Sequence, residues 1–81
     1  MMLKIKDNVD LKELEKFGFR KKYSTYRKVC DGKYSIAYLF VSGNKTSNRE
    51  LCCELWEANE DTLETIFDLI TAGLVEKVVE E

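Results

Sequence analysis

The stretch Tyr23-Ser24-Thr25-Tyr26-Arg27-Lys28-Val29-Cys30-Asp31-Gly32-Lys33-Tyr34-Ser35-Ile36-Ala37-Tyr38-Leu39-Phe40-Val41 decides the fold. Tyr23 to Cys30 is rich in β-branched and aromatic residues. Asp31-Gly32 is a dipeptide suited to a two-residue hairpin turn, and Lys33 to Val41 is the best strand pattern in the chain. A two-residue turn sets Cys30 opposite Lys33, and the alternation of side chains then sorts the hairpin into two faces. Tyr23, Thr25, Arg27 and Val29 share a face with Tyr34, Ile36, Tyr38 and Phe40. Ser24, Tyr26 and Lys28 share the other with Ser35, Ala37, Leu39 and Val41. Both faces of the second strand are partly apolar, which predicts a central position. The polar Ser42 to Asn48 stretch reads as a loop and Arg49 to Trp56 as a third strand, giving an antiparallel meander.

Outward from this centre, Leu3-Lys4-Ile5-Lys6 alternates like a short half-buried edge strand. Asp7-Asn8-Val9-Asp10 supplies helix-start chemistry. Leu11, Leu14 and Phe17 follow at helical spacing, with Asp10 and Glu13 as a capping-box-like pair. Gly18 is the expected stop, with Phe19 folding back onto the helix. Barely two turns long, this helix needs tertiary packing to exist. Asn59-Glu60-Asp61 ends the sheet and starts the strongest helix, where Asp61 and Glu64 form a second capping-box-like pair. Leu63, Ile66, Phe67 and Ile70 make its apolar stripe. Ala72-Gly73 closes it, Leu74 is the returning apolar contact, and Val75 to Val79 offers a short final strand.

The expected fold is therefore α+β: a single domain over residues 1–81, with a three-stranded antiparallel meander, room for short extra terminal strands, and two helices packed against it. The sequence leaves open which sheet face the helices cover. Tyr34, Ile36, Tyr38 and Phe40 form the more hydrophobic set, joined by Leu51, Cys53 and Leu55 if the register permits. The other face, with Ala37, Leu39, Val41 and Trp56, then stays partly apolar, a surface for self-association or partner binding.

Composition narrows the chemistry. A chain of 81 residues, 44% hydrophobic and 35% charged, is one small globular domain with a thin core. It has no His, so the commonest general base near neutral pH and the commonest zinc ligand are both missing. Cys30, Cys52 and Cys53 lack CxxC spacing and read as small packing residues. An odd number of cysteines without a signal peptide points to a reducing, cytoplasmic setting. The longest strongly apolar run, Ile36 to Val41, is far too short for a membrane span, and the four glycines form no phosphate-binding loop. These readings predict a protein that is not an enzyme and that uses no cofactor and no metal.

Charge is unevenly spread. Residues 1–48 carry eleven Lys/Arg and five Asp/Glu, a net +6; residues 49–81 carry two and ten, a net −8. The acidic part suggests a partner-binding surface from Glu50, Glu54, Glu57, Glu60 and Glu64 around Trp56, able to attract a basic protein. The basic part offers the alternative of a small nucleic-acid-binding module built on Arg20, Lys21, Lys22, Tyr23, Tyr26, Arg27, Lys28 and Lys33, with phosphates neutralised and bases stacked. A third reading is internal, the acidic last helix lying against the basic hairpin. A homodimer across the sheet is a further expectation.

Two end segments carry a resemblance. Leu3-Lys4-Ile5-Lys6-Asp7-Asn8-Val9-Asp10-Leu11-Lys12-Glu13-Leu14-Glu15-Lys16-Phe17-Gly18-Phe19 and Asp68-Leu69-Ile70-Thr71-Ala72-Gly73-Leu74-Val75-Glu76-Lys77-Val78 resemble small proteins encoded in phages and prophages of Gram-positive bacteria. The resemblance implies a mobile-element accessory or host-interaction protein in the host cytoplasm. It transfers no catalytic or binding residue.

Overall fold

The computed structural model of the protein describes residues 2–44, 48–53 and 59–78. The chain runs β1 (Leu3–Ile5), a 3₁₀ helix (Leu11–Phe17), β2 (Arg20–Lys22), β3 (Thr25–Asp31), β4 (Ile36–Ser42), β5 (Leu51–Cys53), α1 (Glu60–Thr71) and β6 (Val75–Lys77). It is α+β as expected, but the sheet is larger than a three-stranded meander. Strands β2-β3-β4-β5 form a four-stranded antiparallel sheet, and β1 pairs with β6 in a separate two-stranded one. An isolated bridge from Lys4 to Glu50 joins the two.

The extra strand comes from Arg20-Lys21-Lys22, whose charges hide its extended backbone. Lys22 pairs with Thr25, so Tyr23 and Ser24 form a two-residue turn instead of opening β3. The β3–β4 register also differs: Cys30 lies opposite Ala37, not Lys33, and Asp31 opposite Ile36. The loop is four residues long, closed by the Gly32 amide donating to the Ser35 carbonyl at 2.9 Å. The partner of each β3 residue moves by four positions along β4, an even number, so the membership of each face survives the correction.

The face that is covered carries Tyr26, Cys30, Ala37, Leu39 and Val41, all buried. Ile5, Leu14, Phe19 and Leu69 complete the core, with Val9, Leu11, Phe17, Leu51, Ile66, Leu74 and Val75 packed around it. The set with Ile36, Tyr38 and Phe40, more hydrophobic in sequence, is the open face; Val29 and Ile36 on it are about half exposed, and Tyr34 in the adjoining loop is almost fully so.

The first helix is 3₁₀ for a reason legible in its spacing. Leu11, Leu14 and Phe17 recur every three residues, the repeat that aligns side chains along a three-residue turn. The Asp10 side chain caps it by accepting from the Lys12 amide at 2.9 Å, and Gly18 ends it with a left-handed φ of 92°.

Asn59 caps α1, in place of the expected Asp61–Glu64 pair. Its Oδ1 accepts from the Thr62 amide and hydroxyl, both at 2.9 Å. Its Nδ2 donates to the carbonyls of Cys30 (2.9 Å) and Ser35 (3.1 Å), tying the helix start to the β3–β4 loop. At the other end, the Gly73 amide donates to Ile70 and the Leu74 amide to Leu69, the paired bonds of a Schellman ending, with Gly73 at φ 75°.

Arg49 takes a positive φ of 61° just before the bridge, and its guanidinium donates to the backbone carbonyls of Lys6 (2.8 Å) and Val9. This clamps the segment after β1 onto the entry to β5. Of the expected third strand only Leu51–Cys53 is seen as a strand; residues 54–58 lie outside the described residues.

Candidate interaction surfaces

Two surfaces combine exposed apolar side chains with a predominant sign of charge, acidic on the first and basic on the second, where Asp31 is the exception at the end of β3. The first is on α1. The residues that α1 buries are Thr62, Thr65 and Leu69, while Leu63, Phe67 and Ile70 are 60%, 67% and 49% exposed. The stripe that stands out in sequence is thus mostly turned away from the sheet; only Ile66 of it packs against the core.

Polar anchoring explains the rotation. Lys28, on the covered sheet face, donates its ammonium to the Thr65 hydroxyl and lies 4.0 Å from the Asp61 carboxylate. Asp61 also accepts from the Asp31 amide at 3.2 Å, and Glu60 from the Lys33 amide. Together with the Asn59 clamp, these bonds turn the Thr62–Thr65 side toward β3 and β4, where small side chains allow close approach. Small and apolar residues therefore cover a wider arc of α1 than the sheet can occupy, and the excess faces solvent. At about 100° per residue, Glu60, Glu64 and Asp68 fall beside Phe67, giving the stripe an acidic border.

The second surface is the open face of the four-stranded sheet. One row crosses all four strands: Arg20, Arg27, Phe40 and Cys52 are successive register partners. The next row pairs Val29 with Tyr38, and the Arg27 guanidinium lies 4.1 Å from the centre of the Tyr38 ring. Arg20, Lys22, Arg27, Val29 and Tyr38 line a recess of about 320 Å³. It is open, with cationic walls and an aromatic and aliphatic floor.

Measured against the sequence expectations, the acidic group is dispersed. Glu60 and Glu64 lie on α1, whereas Glu50 sits at the entry to β5, half-buried, with Asn48 bonded to it. Glu54, Trp56 and Glu57 lie outside the described residues. The carboxyl of Glu60 is held below its ordinary range by bonds from its own amide and that of Lys33, against a small opposing effect of desolvation.

The basic group is divided between faces. Arg20, Lys22 and Arg27 meet on the open face, but Lys28 faces α1 and Tyr26 is core, which removes both from any nucleic-acid contact. Lys21 shares the covered side with Tyr26, its ammonium 6.0 Å from that ring. Tyr23 and Lys33 occupy two different hairpin turns. The Lys28–Asp61 and Lys4–Glu76 ion pairs each join the basic part of the chain to the acidic part, so some of the charge asymmetry is neutralised internally. Sequence reasoning missed the outward placement of Leu63, Phe67 and Ile70. The signal available was the second helical spacing of Thr62, Thr65 and Leu69.

The thiols are free: Cys30 is buried, Cys52 half-buried and Cys53 exposed. Burial, and secondarily the Glu50 carboxylate, push the Cys52 thiol up, the opposite of what a nucleophilic thiol needs. Among the described residues no cluster of three Cys, Asp or Glu is placed to hold a metal ion. Among the same residues no helix is long and apolar enough to cross a membrane. No protein-family description, curated protein or solved structure matches the chain.

Proposed function

We propose that the protein is a small non-catalytic binding module acting through protein–protein contacts, with the α1 stripe as its principal docking surface. The observation that carries this reading is the exposure of Leu63, Phe67 and Ile70 beside Glu60, Glu64 and Asp68. Three large apolar side chains at i, i+4 and i+7 form the anchor pattern of a helix that seats in a partner's groove, and the carboxylates select a partner with a basic rim. The likeness of the two chain ends to phage-encoded proteins suits a mobile-element accessory role in a bacterial host. Photo-crosslinking from position 67 in host lysate tests the reading. A discrete protein adduct from position 67, lost in Glu64→Lys and absent when the crosslinker sits at the exposed loop position Tyr34, supports it. Indiscriminate adducts from both positions count against it.

The open sheet face favours a second reading, single-stranded nucleic acid. Arg20, Lys22 and Arg27 beside Tyr38 and Phe40 provide cations for phosphates and rings for bases. A salt titration of oligonucleotide binding decides it: binding weakened by salt and by Arg20→Glu favours this reading, and no binding at low salt removes it.

A further inference from the structure

We propose that the occupant of the α1 stripe is the open sheet face of a second copy of this chain, so that the protein associates head to tail. The inference rests on the reading of α1 as a docking surface and names its partner. Each surface is poorly suited to itself and suited to the other. Two sheet faces brought together recess to recess would set Arg20, Lys22 and Arg27 against the same cations, and two α1 stripes would oppose Glu60, Glu64 and Asp68. Crossed, the acids of one copy meet the bases of the next. The apolar parts also fit: Phe67, the most exposed of the stripe, is matched by the recess between Arg20, Arg27, Val29 and Tyr38. There the ring would lie against apolar side chains with a guanidinium over its face.

Within one copy α1 packs on the covered side of the sheet, and the recess is on the other side. Both surfaces can therefore be occupied at once, and the contact is heterologous. Such contacts propagate into rings or open chains, in contrast to an isologous pair, which stops at two. The charges that match are exposed, so the association weakens as salt is raised.

Light scattering coupled to size exclusion reads this on the whole protein. The wild type should show a mean mass that climbs with concentration past that of a dimer and falls in high salt. Phe67→Lys or Leu63→Lys should disable one surface, and Val29→Glu or Arg20→Glu the other, each lowering association by about tenfold or more. The decisive arm mixes one variant of each kind. Each keeps one intact surface, so the mixture should form a dimer and nothing larger, while either variant alone stays monomeric. Circular dichroism confirms that each variant is folded; all four positions lie on the surface, so at least one of each pair is expected to be. A wild type that is monomeric at every concentration overturns the proposal, as does a fixed dimer that Val29→Glu and Arg20→Glu leave intact. Oligonucleotide binding at the sheet face by a strictly monomeric protein also overturns it. If self-association fails while the position-67 crosslink to a host protein stands, the docking reading of α1 survives and only its partner changes.

Discussion

The amide of Asn59 occupies the space that a β-carbon on Gly32 would require. A β-carbon there would come within 2.7 Å of the Asn59 β-carbon and 2.8 Å of its Nδ2. Gly32 is needed because the α1 cap passes directly over the β3–β4 loop, and the cap cannot move aside without breaking its bonds to Cys30, Ser35 and Thr62.

Gly32→Ala should therefore lower stability by about 1–3 kcal/mol, the ordinary range for overpacking a close contact. Asn59→Asp should cost more, about 3 kcal/mol, because it replaces two donors with a carboxylate facing two carbonyls. Urea unfolding checks both, as a lower midpoint with an unchanged slope.

Tyr23 turns the β2–β3 hairpin at φ 57° and is 89% exposed, so a bulky residue sits in a left-handed conformation with little packing in return. Replacing it with Asn or Gly should raise stability by about 0.5–1 kcal/mol, since those residues tolerate this region more readily. Thermal unfolding reads the gain. A loss instead would show that the ring makes a contact the backbone geometry does not reveal.

Glu60 gives a pH dependence with a definite sign. Its folded pKa is lowered from the ordinary 4.5 by the backbone amides of Glu60 and Lys33. A carboxylate of this kind stabilises the fold above its unfolded pKa, and that contribution fades as pH falls through the folded value. The wild type should thus lose stability more steeply than Glu60→Gln on acidification below about pH 4.5. Parallel curves for the two proteins would refute the assignment.

The three thiols should react in the order Cys53, Cys52, Cys30 with a small alkylating reagent at pH near 8. Cys53 is exposed, Cys52 is half-buried with its thiolate disfavoured by burial and by Glu50, and Cys30 is enclosed in the core. Glu50→Gln should speed Cys52, and Cys30 should react only in denaturant. Mass spectrometry of timed aliquots resolves the order.

Much of the fold was legible in the sequence because periodicity and capping are local. The β3–β4 hairpin, both glycine-ended helices and the terminal strands follow from alternation, spacing and the chemistry of Gly18 and Gly73. What was not legible depends on partners remote in sequence. Asn59, over the β3–β4 loop, bonds both Cys30 and Ser35, and the register is part of that contact. Arg20-Lys21-Lys22 is a strand because β3 is beside it, not because its residues favour one. The Lys28 contact with Thr65 and Asp61 rotates α1, so the covered sheet face and the exposed helix stripe are both the reverse of what apolar content alone suggests. The candidate surfaces were legible in their charge but not in their membership: Tyr26 and Lys28 look like ligand contacts in sequence and are internal.

The pairing of β1 with β6 has a bearing on how the chain acquires its structure. Leu3 pairs with Lys77 and Ile5 with Val75, and Ile5 belongs to the core. During synthesis β1 leaves the ribosome well before β6, so Ile5, whose amide bonds the Arg49 carbonyl, waits for its register partner Val75 to emerge. The meander can form earlier because its contacts are between neighbours, whereas closure of the outer ribbon is deferred to the end. A nascent chain halted before Val75 would leave the β6 side of its first strand as an open edge to other chains.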